Sequence, residues 1–151
     1  MSDNRQNFWD LMAAKTQQEI ADHLATDRSV VSKMISGERG FSPAIARNAA
    51  IMSGGEEKPG ILYLTSQVAA LKHNLQTGKM KPENSLGAAQ TIMRTITKGF
   101  RSDELDRKSP EFKEAALLLK KIAEAALDLS EDEPQQLSAV VSLNFCKLVA
   151  C

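Results

Sequence analysis

Apolar residues recur at steps of three and four along most of this chain, and that spacing predicts helices. Phe8, Trp9, Leu11 and Met12 make the apolar side of a first short helix ending near Ala14. Ile20, Ala21 and Leu24 belong to a second helix over Gln17–Leu24. Val31 and Met34 belong to a third over Arg28–Ser36. The polar run Ala25-Thr26-Asp27 separates these two as a turn, with Asp27 as the expected N-cap. Gly37 stands where a helix end favours glycine. Ser42 followed by Pro43 marks the start of a fourth helix reaching about Met52.

Ser53-Gly54-Gly55-Glu56-Glu57-Lys58-Pro59-Gly60 is dense in Gly and Pro and reads as a linker. It divides the chain into 1–54, a linker over 55–60, and 61–151. Beyond it, Leu64, Val68, Leu71 and Leu75 form one stripe of a helix over 61–76. Gly78 to Pro82 breaks that helix. Leu86, Ala89, Ile92, Met93 and Ile96 form the stripe of another, running from Asn84 or Ser85 to about Lys98. Gly99 to Lys108 is a loop. Ser109-Pro110 opens the best-marked helix, with Phe112, Ala116, Leu119, Ile122, Ala123 and Ala126 in register to about Leu129. The last helix, Pro134 to Val149, is apolar nearly all round, which predicts burial on more than one side, at the centre of a bundle or between subunits. No segment alternates with the period of a half-buried strand. The expected fold is all-α with about eight helices.

Bulk properties narrow this further. The length, 151 residues, suits one small domain with a helical extension. Net charge is zero, with 42% hydrophobic and 25% charged residues, an ordinary globular balance. In residues 1–54 Arg5, Lys15, Arg28, Lys33, Arg39 and Arg47 are matched by Asp3, Asp10, Glu19, Asp22, Asp27 and Glu38. A positive face there must come from segregation of these charges, because the local field decides binding. Cys146 and Cys151 lack the spacing of a metal site and read as reduced thiols. The polar N-terminus and the absence of a long apolar run predict no signal peptide and no membrane span, hence a cytoplasmic protein. Glu131-Asp132-Glu133 reads as a solvated helix end, and His23 and His73 as surface residues. No nucleophile elbow, phosphate loop or dinucleotide turn occurs, so neither an enzyme nor a cofactor or metal is expected.

The third helix carries the candidate chemistry. With Val31 and Met34 turned inward, Arg28, Ser29, Ser32, Lys33 and Ser36 face outward. Short hydroxyls and long cations on one helical face suit base edges and phosphates. The small residue Ala21 sits where the two helices must approach closest.

The stretch Thr16 to Gly37 resembles the helix-turn-helix of the Cro/C1-type (XRE-like) repressor family. Thr16, Gln17, Glu19, Ile20, Ala21, Leu24, Arg28, Val31, Ser32, Met34 and Gly37 stand in that family's register, and Phe41, Ser42 and Pro43 lead on toward its fourth helix. The likeness covers about residues 5–54. It departs at the turn, where Ala25 replaces the frequent glycine. The resemblance implies a sequence-specific transcriptional regulator bound to double-stranded DNA as a dimer or higher oligomer. Arg28, Ser29, Ser32 and Lys33 would meet bases or backbone. Gln17, presented by Thr16, would meet a phosphate, and Arg39 and Arg47 would be backbone contacts. The helical part after the linker would assemble the oligomer or meet a protein partner. The rival reading is an adaptor or antitoxin in which DNA binding is only autoregulatory or absent.

Overall fold

The computed structural model describes residues 15–53 and 58–128, with the side chains of 127 and 128 left aside. Six α-helices fill this part: α1 (Gln17–Leu24), α2 (Arg28–Ser36), α3 (Pro43–Met52), α4 (Pro59–Gln76), α5 (Ser85–Gly99) and α6 (Pro110–Asp128). Two single 3₁₀ turns, Pro82–Asn84 and Ser102–Glu104, lead into α5 and follow it. No strand occurs among the described residues, and the fold is all-α. The expected first helix and the apolar last helix lie outside the described residues.

Local chemistry sets the ends of these helices. The Ser42 hydroxyl accepts from the Ile45 N–H at 3.2 Å, and Pro43 occupies the first position of α3, where its missing N–H costs nothing. Ser109 does the same for α6, accepting from the Phe112 N–H at 3.1 Å. Asp27 has the extended backbone of an N-cap, but its side chain makes no capping hydrogen bond.

α4 is the centre. It packs against α3, α5 and α6, and Ile61, Leu62, Tyr63, Leu64, Thr65 and Ser66 are buried in succession. The first half of α4 is therefore covered all round rather than along one stripe. Its buried hydroxyls are bonded, as burial demands: Thr65 donates to the Ile61 carbonyl at 2.8 Å and Ser66 to the Tyr63 carbonyl at 3.0 Å. The helix begins at Pro59, so the last two residues of the expected linker are helical. One apolar cluster runs from Ile20, Leu24, Val31 and Met34 through Phe41 and Ile45 to Leu64, Met93, Phe112 and Leu119. The surfaces on either side of the Gly/Pro-rich segment thus share a core.

Candidate nucleic-acid interface

Thr16 starts the site. Its hydroxyl accepts from the Glu19 N–H at 3.1 Å while the Glu19 carboxylate accepts from the Thr16 N–H at 3.4 Å, a capping box that satisfies two helix-end donors. Gln17, half-buried, takes the first position of α1.

α1 ends in a left-handed residue, Ala25, at φ 55° and ψ 48°. The Thr26 N–H donates to the Ala21 carbonyl at 3.0 Å and the Ala25 N–H to the Asp22 carbonyl at 3.3 Å. α2 ends the same way around Gly37, at φ 87°. There Glu38 N–H donates to the Lys33 carbonyl at 3.0 Å and Gly37 N–H to the Met34 carbonyl at 3.2 Å. Both are Schellman caps. One uses glycine and the other uses alanine at a steric cost. With Ala21, Val31 and Met34 at 0% exposure, α1 and α2 are closely packed and their buried faces are fixed.

Fixing the inner face of α2 fixes its outer one. Arg28, Ser29, Ser32, Lys33 and Ser36 are all exposed, in agreement with the spacing of the sequence. The Ser36 hydroxyl is turned back onto the Lys33 carbonyl at 2.9 Å. Arg39 is exposed in the turn that follows. The structure therefore brings Arg28, Ser29, Ser32 and Lys33 onto one helical face, with Arg39 just beyond its C-terminus and Gln17 at the start of the neighbouring helix.

The turn after α2 is clamped onto α4. Asn74 donates to the Glu38 carbonyl at 3.1 Å, and Gln67 donates to the Phe41 carbonyl at 2.6 Å. The Phe41 N–H donates to Ser66 at 2.9 Å. A Cβ on Gly40 would lie 2.8 Å from the Gln67 backbone, so glycine is required for this approach. The Glu38 carboxylate pairs with Lys79, which holds it below the usual carboxylate range and engages one acid at the edge of the α2 face. Lys79 lies far along the chain, and no local pattern marks it as the partner.

Arg47, which the resemblance implied as a backbone contact, is bonded within the fold. Its guanidinium meets Glu104 through two hydrogen bonds, at 2.7 and 3.1 Å, and donates to the Gly99 carbonyl at 2.6 Å. It also lies 4.9 Å from the Phe100 ring centre. A guanidinium so engaged ties α3 to the segment between α5 and α6. Among the described residues no group of three or more His, Cys, Asp or Glu is placed to hold a metal, and no helix is long and apolar enough to cross a membrane.

Comparison of the chain with protein-family models, with curated proteins and with solved structures finds no match.

Proposed function

We propose that this chain is a sequence-specific DNA-binding transcriptional regulator, similar in mode to the Cro/C1-type repressors, which lays α2 in the major groove. The observation that carries this reading is the exposure of Arg28, Ser29, Ser32 and Lys33 on one face of a helix whose opposite residues, Val31 and Met34, are fully covered. A guanidinium in that position suits the paired acceptors of guanine, and hydroxyls accept either a base edge or a phosphate. Arg39 beyond the helix and Gln17 at the start of α1 supply backbone contacts, with the N-terminal end of α1 favouring an anion. The turn that follows the helix is clamped to α4 by Asn74 and Gln67. The zero net charge is compatible with this role, because phosphate contacts depend on the local field. In this reading the protein works in the cytoplasm, on the nucleoid, as a dimer or higher oligomer that doubles the number of helices on the duplex.

The test is selection from a pool of random duplexes at moderate salt with the full chain. Enrichment of one motif is the expected result. A pool that stays random after repeated rounds would replace this reading with the adaptor one, in which the chain serves protein partners alone.

A further inference from the structure

Ile35 is the large hydrophobic side chain that α2 leaves in water, 47% exposed. Single exposed apolar residues are ordinary on protein surfaces; what distinguishes this one is its register. Ile35 stands seven residues after Arg28 and three after Ser32, so these three share one flank of the helix. Ser29, Lys33 and Ser36 form the parallel flank. An isoleucine thus continues a row that begins with a guanidinium and a hydroxyl. The other exposed side chains of α2, Arg28, Ser29, Ser32, Lys33 and Ser36, are cations and hydroxyls, which suit a phosphate-bearing partner more than an apolar one.

A DNA duplex presents one apolar group in its major groove, the C5 methyl of thymine. We infer that Ile35 is a specificity-determining residue that packs on a thymine methyl, while Arg28 reads a base at the other end of the same row. The inference rests on the DNA-binding reading of α2. Seven residues of α-helix span about 10 Å, and base pairs rise by about 3.4 Å per step. The selected motif should therefore hold a thymine within about three steps of the base pair whose identity depends on Arg28.

The experiment uses the full chain, its Ile35→Ala variant and Ile51→Ala as a control. Ile51 is 75% exposed on α3, off the α2 face. The probe is the duplex enriched by selection, in which each thymine is replaced in turn by deoxyuridine, so that only the methyl is removed. At one position the wild type should lose about fourfold in affinity, the change that one buried methyl carries. Ile35→Ala should bind the thymine and uracil duplexes equally there, and Ile51→Ala should discriminate like the wild type. A wild type indifferent to every replacement, or an Ile35→Ala variant that still discriminates, overturns the assignment while leaving DNA binding intact. A wild type that enriches no duplex overturns the DNA reading itself, and the role of Ile35 with it.

Discussion

The Arg47 guanidinium grips the Glu104 carboxylate through two hydrogen bonds, at 2.7 and 3.1 Å, across 57 residues of chain. The pair joins α3 to the 3₁₀ turn after α5, so it bridges the part that carries α2 to the helices behind it. The Glu104 carboxylate also accepts from the Arg101 N–H at 3.0 Å. Its side chain is only 10% exposed, against 40% for Arg47. The hydrogen bond from Arg47, opposed by burial and aided by the Arg101 backbone, holds its pKa at about 2.

A pH dependence follows from that depression. In the unfolded chain a glutamate titrates at about 4.3. Because the folded value is lower, the stabilisation is fully present above about pH 4.3 and is lost as pH falls toward about 2. Thermal melts between pH 6 and pH 2 should show a steeper acid fall for the wild type than for Glu104→Gln over that window. At neutral pH Arg47→Ala should cost about 1–2 kcal/mol, the value of charge-assisted hydrogen bonds reduced by screening on the exposed side. Parallel acid slopes for wild type and Glu104→Gln would show that the pair does not carry this stability.

Gly40 and Gly87 should respond oppositely to alanine. At Gly40 the added Cβ meets the backbone of Gln67 at 2.8 Å, and a helix backbone yields little. Gly40→Ala should therefore cost about 1–3 kcal/mol in denaturant melts and loosen the turn that follows α2. A Cβ at Gly87, inside α5, meets nothing within 4 Å. Gly87→Ala should leave the protein as stable or raise its stability by up to about 1 kcal/mol through helix propensity. Equal losses at both sites would contradict the close approach of the turn to α4.

Ala25 is the sole non-glycine residue with positive φ among the described residues. The left-handed conformation costs an alanine about 1–2 kcal/mol. Glycine there would remove that cost but adds about 0.5–1 kcal/mol of unfolded-state entropy. Ala25→Gly should therefore raise the melting temperature slightly, by about 1–2 °C, with the α2 face unchanged. A clear drop in melting temperature would mean that the Ala25 methyl makes a contact worth more than its strain.

Helix starts and ends were legible in the sequence because their causes are local. Ser42-Pro43, Ser109-Pro110 and Gly37 act on their own backbone, and all three stand where the structure caps a helix. The outward set on α2 was legible for a related reason, since burying Val31 and Met34 leaves one choice of outer face. The all-round burial of α4 was not, because a three-and-four stripe through Leu64, Val68 and Leu71 marks a single face, whereas Ile61, Leu62 and Tyr63 are buried on the other sides, with α3, α5 and α6 packed around the helix. Arg47 shows the same limit. A cation beside a stretch that resembles a helix-turn-helix reads as a phosphate contact, and nothing local marks Glu104, 57 residues away, as its partner. Periodicity does not single out Ile35, because it accounts for apolar residues by burial, and this one is exposed.

The central proposal is that the α2 face meets DNA. Its measurement is the titration of a selected duplex, over several salt concentrations, with the wild type, Arg28→Ala and Lys33→Ala, each checked by circular dichroism for an unchanged fold. A base-reading side chain should cost about 1–3 kcal/mol of specific affinity when removed. A phosphate-contacting one should weaken all sequences alike and lower the salt slope by roughly one. Arg28→Ala should show the first and Lys33→Ala either one. Wild-type affinity and wild-type salt slope in both folded variants would contradict it.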